Sequence, residues 1–224
     1  MPDRSLERLV HPPAAGGKPQ SLVVLLHGLG ANGADLLGLA PYWAALLPHT
    51  EFIAPDAPEP CDMAPFGFQW FSLQDRSPLS MMRGVTTAAP VLDAFLDEVL
   101  AERGLDDSRL ALVGFSQGTM MSLHVGLRRA AAPAGIVGYS GALLAGPELF
   151  LQIRARPPVL LVHGDADPVV SIAALDAAAI GLRAVGVTVE TIRRPGLGHS
   201  IDDVGLERGG AFLAGVLSPA APGT

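Results

Sequence analysis

The chain has 224 residues, 49% hydrophobic and 17% charged, with a formal net charge of −7 and Lys18 as its single lysine. This length holds a sizeable core and such apolar content implies extensive burial, while so few basic groups leave no face for a nucleic-acid backbone or an anionic membrane. Apolar runs stop short of the roughly 18 residues of a membrane span, the start MPDRSLERLV lacks an apolar leader, and Cys61 as sole cysteine cannot form an internal disulfide, so the expectation is a protein of the cytoplasm without stable membrane insertion.

Residues 1–20 form a lead-in, and their second half, HPPAAGGKPQ, predicts a surface turn. SLVVLLH (21–27) is continuously apolar, as a strand covered on both faces should be. ADLLGLAPYWAALL (34–47) has leucines at helical spacing, and EFIAP (51–55) is a short strand. Residues 55–83 carry five prolines and the cluster FGFQWF without a sustained period, which predicts a long loop. Residues 85–104 form a helix stopped by Gly104, with Pro90 marking a kink or a start just before it. Strands then alternate with helices: strand 109–115, helix from about 117 to 129, strand 134–140, strand 157–164, helix 171–186, strand 187–194, loop 195–200 and helix 202–217, with SPAAPGT (218–224) as a frayed tail. That alternation predicts one α/β domain over residues 1–224, with a mostly parallel central sheet of about seven strands and helices on both faces.

In such a sheet the chemistry collects where strands end at their carboxyl edges. GFSQG (114–118) lies where a strand gives way to a helix, and flanking glycines allow a tight turn that projects Ser116. A serine hydroxyl is a weak nucleophile and needs a base. His199, on the Gly-rich loop PGLGHS, is the best-placed of six histidines, and Asp165 or Asp167 in VHGDADPVV can orient it. The order Ser, Asp, His suits this architecture. The loop HGLGAN supplies the last requirement, donors for a tetrahedral oxyanion: the backbone N–H of Leu29, paired with that of Gln117 directly after the nucleophile.

The set LLHGLGANG, GFSQG, HGDADPVV and GLGHS, spread in this order over residues 25–200, resembles the carboxylesterase/phospholipase family of α/β-hydrolases, which includes small bacterial carboxylesterases and acyl-protein thioesterases. The resemblance implies an α/β-hydrolase fold, Ser116 as nucleophile, His199 as base and Asp167 rather than Asp165 as acid, with Leu29 and Gln117 at the oxyanion. The family's aromatic segment looks like QWFSL, and Trp70, Phe71 and Val169 are the expected substrate contacts. The expected activity is hydrolysis of short to medium acyl esters through an acyl-enzyme, without cofactor or metal. An acyl-protein thioesterase or lysophospholipase is the alternative, and a non-catalytic binding protein on the same fold a more distant one. The partner is a small ester or thioester; a homodimer fits the resemblance, although no interface pattern stands out. The connection 141–156 leaves no room for a large lid, and the loop residues Phe66, Phe68, Met81 and Met82 extend an apolar wall around an open site.

Blander roles are expected elsewhere. His27 and His163 bond to neighbouring loops, His124 is a satisfied, partly buried histidine, and His11 and His49 are solvated. Asp202 and Asp203 cap the last helix, Ser140 is a loop serine, Met120 and Met121 pack under the sheet, and Cys61 is a bystander. VLLVHGDADPVV also resembles the D-x-D strand end of aspartyl-phosphate phosphotransferases, but His163 and Gly164 intervene before Asp165 and the other motifs would go unused.

Overall fold

The apolar runs become strands whose successive side chains enter two different cores. A computed structural model describes residues 6–146 and 149–218. In β2 (Ser21–Leu26) every residue is buried. Leu22, Val24 and Leu26 face one layer, and Val23 and Leu25 the other. The remaining strands of the main sheet are β1 (Arg8–His11), β3 (Thr50–Pro55), β6 (Leu110–Phe115), β7 (Gly135–Tyr139), β8 (Val159–Gly164) and β9 (Val189–Arg194); β4 (Glu59–Pro60) and β5 (Phe68–Gln69) form a separate two-stranded hairpin. The seven-stranded order is β1-β3-β2-β6-β7-β8-β9, parallel throughout except for β1 against β3. This is the expected α/β-hydrolase architecture.

Three helices cover one face: α3 (Pro78–Arg103), α4 (Gln117–Gly126) and α6 (Ala173–Ala184), through Leu92, Leu96, Met121 and Leu182. The other face packs on α1 (Gly33–Leu37), α2 (Ala40–Ala44) and α7 (Asp203–Leu217), through Leu36, Trp43 and Leu213. Helix α7 approaches closely because residue 209 is glycine: a Cβ there would sit 2.0 Å from Tyr139 Oη, which donates to Gly205 O at 3.0 Å. Met120 and Met121 are buried in the first core, and Asp202 is the N-cap of α7, accepting from Gly205 N at 2.8 Å. Asp203 lies in the first turn. No helix among the described residues is long and apolar enough to cross a membrane.

Several boundaries depart from the sequence reading. Strand β1 falls within the lead-in; its half-exposed RLVH pairs only with β3, so no buried run announces it. Residues 34–47 form two short helices, with Pro41 in the first turn of α2. Helix α3 starts at Pro78, capped by the Ser77 hydroxyl, which accepts from Ser80 N, so Pro90 lies well inside it and the loop is shorter than expected. The helix after Ser116 ends at Gly126, and the connection after β7 contains the short α5 (Leu149–Gln152). The tail expected from residue 218 lies, beyond Ser218, outside the described residues.

Candidate active site

Ser116 links β6 to α4 with φ 54° and ψ −113°, a conformation that L-residues avoid and that costs roughly 1–3 kcal/mol. The surroundings impose it. Ser116 N donates to Tyr139 O at 2.9 Å, and the Thr119 hydroxyl bridges Gly114 O and Tyr139 O at 2.8 and 2.9 Å. Both flanking glycines are sterically required: a Cβ on Gly114 would lie 2.4 Å from Gly118 backbone, and one on Gly118 would lie 1.8 Å from Leu26 O. The Ser116 side chain does not cap α4, which leaves its hydroxyl uncommitted.

The loops after β8 and β9, which carry the expected acid and base, are stitched together. Asp165 N donates to Arg194 O, Ala166 N to Leu197 O at 3.1 Å, and Gly196 N to Asp165 Oδ1 at 2.7 Å. Gly164 allows this approach, because a Cβ there would lie 2.1 Å from Leu197 O. Of the two aspartates it is Asp167 that reaches the imidazole: His199 Nδ1 lies 2.7 Å from Asp167 Oδ2. Asp167 Oδ1 accepts from Val169 N and Val170 N at 2.8 and 2.9 Å, and the side chain is wholly buried. Burial works against its charge, but the hydrogen bonds from His199, Val170 and Val169 outweigh it and hold the carboxyl below the usual carboxylate range. A carboxylate accepts, so neutral His199 carries its proton on Nδ1 and keeps a lone pair on Nε2. The ring stacks obliquely on Phe115, one residue before Ser116, at 4.8 Å between centroids. Among the described residues no hydrogen bond joins Ser116 Oγ to His199; in unliganded sites this contact is often long and tightens with substrate.

The loop after β2 lies against the Ser116 turn, since a Cβ on Gly28 would sit 3.3 Å from Ser116 Cβ. The N–H groups of Leu29 and Gln117 have no acceptor among the described residues. The aromatic segment braces both. Phe68 O accepts from Gly30 N at 2.9 Å and Phe68 N donates to Ala31 O at 2.8 Å; Trp70 N donates to Gln117 Oε1 at 2.9 Å and Gln117 Nε2 donates to Phe71 O at 2.7 Å. Trp70 Nε1 adds a bond to His27 O at 3.1 Å. His27 Nδ1 in turn meets Gly28 O at 2.7 Å, while its Nε2 accepts from Ala57 N at 3.0 Å. These partners require a neutral Nδ1–H ring, and burial lowers its pKa accordingly.

Among the expected substrate contacts, Val169 is 50% exposed, two residues after Asp167, whereas Trp70 and Phe71 are buried, Phe71 against Gly84. Phe66 is the exposed aromatic of this loop. The Gln117 side chain went unread in the sequence. Its signal was a long polar residue opening a helix in which every residue is buried.

Other expectations change. His124 is buried with Nδ1 unpartnered among the described residues, and burial, aided by the neighbouring Arg128 charge, lowers its pKa to about 4. Ser140 has φ 46° and a buried hydroxyl without a partner among the described residues, so it is a strained core residue. Cys61 is buried against Gly30. His11, expected to be solvated, is half-buried edge-on to Phe52, whereas His49 is exposed as expected.

Residues 12–217 match the family model described as Phospholipase/Carboxylesterase. Esterase YpfH of Escherichia coli is 28% identical over 186 residues, covering 82% of this chain and 78% of its own. Acyl-protein thioesterase 1 of Neurospora crassa is 29% identical over 196 residues, covering 80% and 79%. The crystal structure of esterase PE8 superposes with TM-score 0.91 at 41% identity, over 96% of this chain and 100% of that one. With the strand order, the elbow and the loops all in place, the chain belongs to the phospholipase/carboxylesterase family of hydrolases.

Proposed function

We propose that the chain is a serine carboxylic-ester hydrolase working through an acyl-enzyme. Ser116 Oγ attacks the ester carbonyl while His199 Nε2 takes its proton, and Asp167 stabilises the imidazolium. The N–H groups of Leu29 and Gln117 receive the oxyanion, each worth roughly 2.7–4 kcal/mol by comparison with a removed donor elsewhere. His199 then protonates the leaving alcohol, and water repeats the sequence on the acyl group. The observation that carries this reading is the strained Ser116 turn, adjoining the Phe115 ring against which a histidine bonded to a buried carboxylate stacks.

Among its described residues the connection between β7 and β8 contains only the four-residue α5 beyond coil, and the exposed Phe66 and Val169 offer apolar contact to a short or medium acyl chain. A thioester is the second reading, resting on the likeness to acyl-protein thioesterase 1. Ser116→Ala is expected to abolish hydrolysis of p-nitrophenyl esters with the fold intact by circular dichroism; retained turnover would overturn the reading. A rate series over p-nitrophenyl esters of increasing length, with an acyl-thioester alongside, separates the two substrate classes.

A further inference from the structure

Two neighbouring strands end on residues of unusual backbone. Ser116 after β6 and Ser140 after β7 are, among the described residues, the non-glycine positions with positive φ, at 54° and 46°, and the register that pairs Phe115 with Tyr139 sets them side by side. L-residues avoid this region. Ser140 also buries a hydroxyl without a partner among the described residues, so two unfavourable features meet in one residue beside the proposed nucleophile. Such residues persist where the surroundings over-determine them, and they gather at functional sites.

The contacts of Ser140 show what it secures. A trans peptide is planar, with its C=O and N–H pointing opposite ways, and the peptide joining Tyr139 to Ser140 uses both. On one side Tyr139 O accepts from Ser116 N and from the Thr119 hydroxyl, each at 2.9 Å; on the other, Ser140 N donates to Val162 O of β8 at 2.9 Å. Beyond this plane the left-handed φ turns the chain out of the strand direction. Gly141 is thereby brought against the Ser116 turn, where a Cβ on it would lie 2.8 Å from Ser116 O and 2.4 Å from Thr119 Cβ. We propose that Ser140 is a positioning residue for Ser116: its left-handed turn holds the Ser116 N–H through Tyr139 and the Ser116 carbonyl side through Gly141, and ties both to β8, the strand that leads to Asp167. A Ser116 held at one end only would relax toward an ordinary φ and swing its Cα–Cβ bond away. Held at both ends, it keeps Oγ in place before substrate arrives.

The inference rests on the triad reading above, and one set of assays separates the two. Wild type, Ser116→Ala, Ser140→Val and Ser140→Gly are compared on a p-nitrophenyl ester and for labelling by a fluorophosphonate, with thermal unfolding alongside. Glycine takes the left-handed φ freely, whereas a β-branched valine resists it. Ser140→Val is expected to lose about 10- to 100-fold in kcat with KM little changed, as for an attacking atom displaced by on the order of 1 Å, and to be labelled more slowly by a similar factor. Ser140→Gly is expected to keep most of kcat and of the labelling rate. A folded Ser140→Val with the wild-type kcat, or a glycine variant as impaired as the valine one, makes Ser140 a packing residue only and overturns the proposal. If Ser140→Val does not fold, amide hydrogen exchange of the wild type decides: the Ser116 and Ser140 N–H groups must exchange through one shared slow opening, and a Ser116 amide exchanging well ahead of that of Ser140 overturns the clamp. Activity surviving in Ser116→Ala would instead sink the triad reading itself.

Discussion

Asp165 and Asp167, one residue apart after β8, show how much a single side-chain contact decides. Sequence spacing left both open, because either follows the strand closely enough to reach a histidine. In the structure Asp165 spends Oδ1 on Gly196 N and Asp167 spends Oδ2 on His199. Asp167→Asn is therefore expected to cut kcat/KM by about 10⁴-fold, since an amide facing Nδ1 favours the wrong imidazole tautomer. Asp165→Asn keeps a carbonyl oxygen for Gly196 N and is expected to cost less than about 10-fold, the range of one ordinary hydrogen bond. Steady-state kinetics of the two variants check this, and the reverse ranking would remove Asp167 from the proposed mechanism. At this scale the contact between His199 and an aspartate after β8 was legible, since the motifs GLGHS and HGDADPVV carry particular residue types. The Gln117 side chain was not, because its partners, Trp70 N and Phe71 O, come from a segment far off in sequence.

Among the elements, the strands buried on both faces were the legible part. β2, β6, β7 and β8 are continuous apolar runs, and burial is what such runs encode. The two-residue strands β4 and β5 carry no such run, and Gly67, with φ 75°, was the one local mark of their turn. Yet this hairpin segment ties together the two loops of the proposed oxyanion site. Phe68 holds Gly30 and Ala31 after β2, while Trp70 and Phe71 hold Gln117 at the start of α4. Gln117→Met keeps the backbone N–H and nearly the side-chain volume, but leaves Trp70 N and Phe71 O buried without partners, at about 1–3 kcal/mol each. Its expected signature is a fall in kcat larger than the rise in KM, weaker binding of a boronic-acid transition-state analogue, and a lower Tm. Unchanged analogue affinity would show that the hairpin does not set the oxyanion geometry. Gly118→Ala is a harsher test of the same junction. Its Cβ would meet Leu26 O at 1.8 Å, so little folded protein is expected on expression, and a folded, active variant would contradict the packing of α4 on β2.

For the molecule as a whole, the mostly parallel sheet follows from the alternation of strands and helices. The pH dependence of stability does not, because it depends on which histidines are buried. His27 and His124 are both held neutral by burial, His124 with its pKa lowered to about 4. Their folded-state values lie below the unfolded reference near 6.5, so the unfolded chain binds more protons over that interval and stability falls as pH drops from about 6.5 toward 4. For His124 the full loss is about 3 kcal/mol at 1.4 kcal/mol per unit. The carboxylates act in a lower window. Asp167 and Asp202 are held below their ordinary values, by His199 and backbone amides in the first case and by Gly205 N–H and Arg194 in the second, each against the opposing effect of burial. Their contribution is present above the ordinary carboxylate range and is lost as pH falls through the depressed values. Acid unfolding is thus expected in two stages, with the first above the carboxylate range. His124→Met fills the site without a titrating ring and removes an unpartnered buried nitrogen. Urea unfolding at pH 7 and pH 4.5 should show a smaller loss of stability for this variant than for wild type; equal losses would mean that His124 is protonated in the folded chain and that the first stage belongs to other groups.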